Sequence, residues 1–150
     1  LNRAIDARFP GVSDLSTADL AAHLRDRDHP PALLVDVRER AEYAVSHLPD
    51  AVWAGTEKTQ ANLLNETAPG RPVVFYCSVG WRSAQAAERA LKAGRSGIFN
   101  LRGSIFQWAN EGRSLVDRRG EPTKWVHPYN DTWGQLLDRR LWSREPSPQN

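Results

Sequence analysis

The sequence has no methionine and a single cysteine, Cys77. One cysteine excludes an intramolecular disulfide and any four-cysteine zinc site. No apolar run approaches the roughly 20 residues that a membrane span needs, so no membrane partner is expected. No period of 20–50 residues repeats, and no segment is low in complexity. The glycine patterns of dinucleotide and P-loop sites, GxGxxG and GxxxxGK[ST], are missing, as is HExxH. His23, His29, His47 and His127 form no metal-binding pair at helical spacing, so neither metal nor cofactor is expected. Charge of one sign is also scarce: the formal net charge is +2 on 150 residues. Residues 1–112 carry 13 basic and 13 acidic side chains, and residues 113–150 supply the whole excess with 7 and 5. A surplus this small attracts nucleic acid weakly. The chain opens on Leu1 rather than on a methionine, so it is expected to begin after a removed or missing segment. A cytoplasmic location is expected, with a periplasmic one left open.

What remains is enough for one core: 150 residues, 40% hydrophobic. The N-terminal stretch reads as turn-rich, with Pro10-Gly11. Ser16, three residues before Asp19, starts a helix that should stop before His29-Pro30-Pro31. Leu33 to Val37 is an apolar, β-branched run that reads as a buried strand. A short helix over Arg38–Tyr43, a brief strand near Ala51–Trp53 and a helix over 57–65 follow. Val73 to Tyr76 is the strongest strand signal. Ser83 to Ala93 is rich in helix formers, with Gly94 as its stop. Ile98–Leu101 reads as a strand and Ile105–Asn110 as a helix. Strands alternating with helices predict an α/β fold with a largely parallel sheet.

Beyond residue 112 the pattern changes. Residues 113–124 look polar and turn-like. Asp131 or Thr132 is expected to cap a last helix with Trp133, Leu136, Leu137 and Leu141 on one face. Trp125, Trp133 and Trp142 are expected to fasten this extension to the core. Removing 125–150 should then cost stability more than chemistry. Pro146 and Pro148 mark a tail expected to fray.

The chemistry concentrates in Val73 to Ser83, a strand, a short loop and a helix start. Ligand sites of open α/β sheets lie beyond the carboxyl ends of the strands, and Cys77 stands at such an end. Loop amides curled around the sulfur, the helix dipole and the permanent charge of Arg82 would all favour its thiolate. Gly80 permits a tight turn with positive φ. Against this stands the plain alternative that Cys77 is a small buried hydrophobe; Gly80 and Arg82 at +3 and +5 favour reactivity. Trp81 either walls the site or packs on a neighbouring helix.

Four segments in order resemble a single-domain rhodanese over most of residues 12–112. They are Leu34-Val35-Asp36-Val37-Arg38-Glu39 with Glu42-Tyr43, Ser46-His47-Leu48-Pro49-Asp50-Ala51, Tyr76 to Ala84, and Leu101 to Trp108. Ser46 and Asp50 replace two family glycines. The resemblance implies a three-layer fold, helices on both faces of a largely parallel sheet. It divides the chain into a rhodanese-like domain, 1–112, and an extension, 113–150, packed on it. It also implies sulfur transfer, in which a cysteine thiolate takes the outer sulfur of a donor such as thiosulfate, sulfite leaves, and a thiophilic acceptor removes the sulfur from the persulfide.

Carried onto this chain, Cys77 is the nucleophile and Arg82 draws the anionic donor and holds the persulfide anion. The loop amides of Ser78, Val79, Gly80, Trp81 and Arg82 stabilise developing charge, while Asp36, Arg38 and Ser83 support the loop. The implied partners are a small sulfur donor and a thiol or other thiophilic acceptor, a protein among the candidates. Thiosulfate-specialised loops of the family often carry cations directly after the cysteine. Here those positions are Ser78 and Val79, which leaves the donor open. Two other readings stand beside this one. A persulfide-carrier or interaction module would keep Cys77 but turn over poorly. A cysteine phosphatase or arsenate reductase would place its arginine six positions on, whereas Arg82 is five.

Overall fold

The computed structural model describes residues 1–146; Pro148, part of the expected tail, lies outside them. The central sheet is five-stranded and parallel throughout: β1 (Ser13–Leu15), β2 (Leu33–Asp36), β3 (Val52–Trp53), β4 (Val73–Tyr76) and β5 (Ile98–Leu101), in the order β1-β5-β4-β2-β3. β2 and β4 are buried at every position, as strands covered on both faces must be. Their pleat sends alternate residues to opposite layers.

Leu34, Val74, Tyr76 and Leu101 face α2 (Thr17–Arg25) and α6 (Ser104–Asn110). Leu33, Val35, Val73, Phe75 and Ile98 face α4 (Glu57–Asn65) and the alanine-rich side of α5 (Trp81–Lys92). Small residues Ala86, Ala87 and Ala90 let α5 lie close on the sheet. The expected three layers are therefore present.

Several local signals hold. The Ser16 hydroxyl accepts the Asp19 amide at 3.0 Å and starts α2. Gly94, with φ of 90°, follows the end of α5. The helix expected over Arg38–Tyr43 instead occupies α3 (Arg40–Val45). The Arg38 amide is taken by Asp36 Oδ1 at 3.0 Å, and Glu39 forms a capping box with Glu42, so the helix begins later. The N-terminus is not merely turn-rich: α1 (Asn2–Arg8) precedes the Pro10-Gly11 turn, burying Ile5 beside Phe9 and Ala84.

The extension also departs from expectation. Residues expected as turns contain a hairpin, β6 (Leu115–Val116) with β7 (Pro122–Thr123). The last helix is only α7 (Asp131–Gly134), capped by Asn130 rather than Asp131 or Thr132. It cannot continue, because the Asp138 amide bonds to Asn110 Oδ1 at 2.8 Å and the Trp142 indole donates to Gly134 O at 3.2 Å. A single 3-10 turn, Arg139–Leu141, follows. Trp142 packs on the core, but Trp125, Trp133 and Leu136 are exposed. Val126, Leu137 and Leu115 anchor the extension in the same apolar cluster as α2 and α6. Among the described residues no helix is long and apolar enough to cross a membrane, and no group of His, Cys, Asp or Glu could hold a metal ion.

Candidate active site

Cys77 follows the last residue of β4, the middle strand of the sheet, and is 1% exposed. The loop that follows is shaped from its carbonyl side. Helix α6 has free amides in its first turn. Those of Ile105 and Phe106 donate to the carbonyls of Cys77 and Ser78, each at 3.1 Å. The Cys77 amide donates to Ser104 Oγ at 3.2 Å. With these carbonyls turned towards α6, the chain can fold back over the sulfur. The Gly80 amide then donates to Cys77 Sγ at 3.1 Å. Gly80 itself has φ of 110°, a conformation L side chains rarely adopt, and it serves as the N-cap of α5.

The sulfur has a second neighbour in the hydroxyl of Ser83, 3.3 Å away and fully buried. Ser83 also donates to Asn100 Oδ1 at 2.6 Å, and Asn100 Nδ2 donates to the Gly80 carbonyl at 3.1 Å. Gly80 and Ser83 thus meet the sulfur directly. Ser78 and Val79 are buried in the loop, and hydrogen bonds from their amides to the sulfur do not form among the described residues.

The guanidinium of Arg82, expected to draw the anionic donor and hold the persulfide anion, is engaged by Glu42. Its two arms donate to the Glu42 carboxylate at 2.9 and 3.0 Å, and Nη2 also donates to Ser78 Oγ at 2.8 Å. Ser78 Oγ in turn donates to Glu42 at 3.0 Å. The physical reason is that a buried carboxylate needs a partner, and Glu42 on α3 is 1% exposed. Burial opposes ionisation of Glu42, but the hydrogen bonds and charge of Arg82, with the charge of Arg38, outweigh it and hold the carboxyl below the usual range. Burial likewise disfavours the charge of Arg82, yet Glu42 and the nearby Cys77 raise its pKa. Tyr129, from the extension, lies under the guanidinium face, 4.2 Å from ring centre to carbon.

Asp36 and Arg38 form a fully buried pair at the end of β2, with Nη2 to Oδ2 at 2.6 Å and Nε to Oδ1 at 2.9 Å. Burial disfavours the Arg38 charge, and Asp36 more than restores it. Arg38 also donates to the Ser46 carbonyl at 2.7 Å, just past α3. The pair therefore fixes the helix that carries Glu42 and reaches the cysteine loop through it. Trp81 packs edge-on against Phe9, with centroids 5.3 Å apart, so it joins α5 to α1. His47 stacks on Tyr43 at 3.8 Å, and its Nδ1 meets the Tyr43 carbonyl at 3.0 Å.

Four contributors have no role in the sequence reading: Glu42 enters it only within a motif, and three more are absent from the expected site. Ser104 carried no distinguishing signal. Asn100 could have been noticed as the one polar residue in an apolar strand. Tyr129 lies 47 positions from Arg82, outside the resembling region, and only the packing of the extension brings it there.

The model of the Rhodanese-like domain family matches residues 16–111. A sulfurtransferase of Allochromatium vinosum is 34% identical over 109 residues, 73% of this chain and 99% of that protein. A tRNA uridine(34) hydroxylase of Photorhabdus laumondii is 26% identical over 66% of this chain, which spans only 28% of that protein. The structure of a thiosulfate sulfurtransferase from Pseudomonas aeruginosa superposes with a TM-score of 0.69, at 18% identity, over 90% of this chain and 26% of that one. The last likeness is one of fold. The chain belongs to the rhodanese-like domain family, and its sulfurtransferase relative matches it over nearly that protein's whole length.

Proposed function

We infer that this protein moves a sulfane sulfur from a small donor to a thiol or other thiophilic acceptor through a persulfide on Cys77. The observation that supports this reading is the sulfur itself: Cys77 Sγ meets the Gly80 amide at 3.1 Å and the Ser83 hydroxyl at 3.3 Å at a strand end. The Gly80 amide, joined by the Ser83 hydroxyl when its proton faces the sulfur, stabilises a sulfur anion as an oxyanion hole stabilises oxygen. Cys77 loses its proton to solvent, and the thiolate attacks the outer sulfur of the donor. One sulfur–sulfur bond forms as another breaks, and with thiosulfate the leaving group is sulfite. An acceptor thiolate then attacks the terminal sulfur, and Cys77 departs as thiolate. No electrons are gained or lost overall, so no redox cofactor is required.

The same geometry bears on the donor. Glu42 compensates the charge of Arg82, and Ser78 and Val79 add none. At 1% exposure the sulfur is open only to a donor that presents a narrow terminal sulfur atom. The compensated charge favours, as a second reading, a persulfide carrier that turns over thiosulfate poorly.

The test is intact-mass measurement after incubation with thiosulfate or with a small-molecule persulfide. Gain of one sulfur atom by the wild type and none by Cys77→Ser is expected. Absence of any gain with every sulfane donor would remove both readings. Loading without turnover to cyanide or thiols would select the carrier.

A further inference from the structure

Asn100 is buried to 1% and takes no part in the sulfur chemistry described above, yet it holds both groups that touch the sulfur. Its orientation follows from donor counting. The Gly80 carbonyl only accepts, so the Asn100 nitrogen must face it, and the 3.1 Å contact is Nδ2–H to O. Asn100 Oδ1 therefore faces Ser83 at 2.6 Å and must receive the Ser83 proton. A serine hydroxyl has one proton. While it points to Asn100, the oxygen offers only lone pairs to Cys77 Sγ at 3.3 Å. That arrangement suits a thiol, which donates S–H to Ser83, and it opposes a thiolate.

We propose that Asn100 is a positioning residue that sets the protonation of Cys77 by competing with the sulfur for the Ser83 proton. When Cys77 releases its proton to solvent, the Ser83 O–H turns from Asn100 Oδ1 to Sγ, and the short bond to Asn100 is given up. When Cys77 carries a persulfide, the inner sulfur is neutral and the negative charge sits on the terminal atom. Ser83 then returns to Asn100. Asn100 thereby favours the two states in which Sγ is uncharged, thiol and persulfide, over the bare thiolate. The Gly80 amide at 3.1 Å supports Sγ in every state.

The charged group that acts on Cys77 is Arg82 on α5; behind it stand Glu42 on α3 and Tyr129 from the extension, and farther out the Asp36–Arg38 pair at the end of β2 with Tyr76 on β4 and His127 from the extension. Substituting Asn100 by a neutral residue changes none of them. The persulfide half of the inference rests on the proposed function, but the protonation half does not, and its measurement needs no sulfur donor.

The experiment is a pH titration of thiolate ultraviolet absorbance, with Cys77→Ser subtracted to remove the tyrosines. The single cysteine makes that difference spectrum specific. Asn100→Leu, close in volume, frees the Ser83 hydroxyl for the sulfur. Ionisation in this variant no longer gives up the Ser83–Asn100 hydrogen bond, so the thiolate-to-thiol ratio at fixed pH should rise about tenfold. In Ser83→Ala the same Asn100 substitution should change the ratio by less than about twofold, because the competed proton is gone. Circular dichroism reports whether each variant folds. Should Asn100→Leu not fold, Asn100→Thr, whose hydroxyl can still serve the Gly80 carbonyl, is expected to shift the titration in the same direction. An unchanged or upward-shifted titration in the folded variant, or an equal shift in the Ser83→Ala background, overturns the proposal. Failure of sulfur loading in the wild type would overturn the functional reading and the persulfide half, and leave the protonation half standing.

Discussion

The carboxylate of Glu42 receives both arms of the Arg82 guanidinium, at 2.9 and 3.0 Å, across 40 positions of sequence. This pair fastens α3 to the start of α5 and so closes the cysteine loop from outside. A buried charge left without its partner costs about 3–5 kcal/mol. Glu42→Gln keeps the shape, removes the charge and lets Arg82 swing free. We expect a loss of about 3 kcal/mol in denaturant unfolding. Sulfur loading should slow about tenfold, equivalent to about 1.4 kcal/mol on its barrier. Arg82→Lys, which cannot make the planar two-armed contact, should not behave like the wild type in either measurement.

The Asp36–Arg38 pair is more deeply buried, with both side chains at zero exposure. Asp36→Asn is expected to cost about 3–5 kcal/mol, lowering the melting temperature by roughly 10 °C for a chain of this size. Calorimetry or thermal circular dichroism measures it. Removing both charges, with Asn at 36 and Met at 38, should be milder than removing either one. Loading by Cys77 in surviving folded protein should change less than with Glu42→Gln, since the pair acts on the loop only through α3.

Tyr129 changes what removal of the extension should do. The sequence alone suggests that losing residues 125–150 costs stability more than chemistry. Val126 and Leu137 are core residues, so truncation does remove core. Tyr129 also covers Arg82, so truncation uncovers the site. Tyr129→Ala isolates that effect. It should cost about 1 kcal/mol in stability, the worth of a part-buried cation–π contact. It should also shift the preference between anionic and uncharged sulfur donors, measured as a ratio of kcat/KM values, towards the anionic one.

Stability should fall with acid in two stages. His47 and His127 are held below the ordinary histidine value of 6.5, chiefly by burial. Above that value neither state binds the proton, so they contribute no pH dependence. As pH falls below it, the unfolded chain takes up protons that the folded chain refuses, and stability declines until their lower folded values are reached. Glu42 adds a second stage. Its contribution is complete above the ordinary glutamate value of 4.5 and is lost as pH falls through its depressed folded value. Chemical denaturation at about pH 8, about pH 5.5 and about pH 4 resolves the stages. His47→Gln should flatten the first, and Glu42→Gln the second.

The sheet and most of its helices were legible in the sequence because their signals are local. Val73–Tyr76 and Leu33–Asp36 are continuous apolar runs, and Ser16 and Gly94 mark helix ends through their own backbone chemistry. The cysteine loop was legible for the same reason, since Cys77, Gly80, Arg82 and Ser83 lie within seven positions. What surrounds the loop was not. Whether Arg82 faces the sulfur or Glu42 depends on where α3 lands, which β2 and its buried pair decide. The extension was misjudged because Gly134 and Asp138 lose their helical partners to Trp142 and Asn110, both outside the local pattern.

The depth of Cys77 has a further consequence. A disulfide between two copies requires their sulfurs to approach to about 2 Å, and a side chain 1% exposed beneath its own loop cannot offer that approach. The folded protein should therefore withstand storage in air without forming covalent dimers, and it should run as a single band on a gel without reducing agent. Only a molecule slim enough to bring one sulfur atom to the loop gains entry, so the same enclosure that shields the thiol from its neighbours filters what it can trade with.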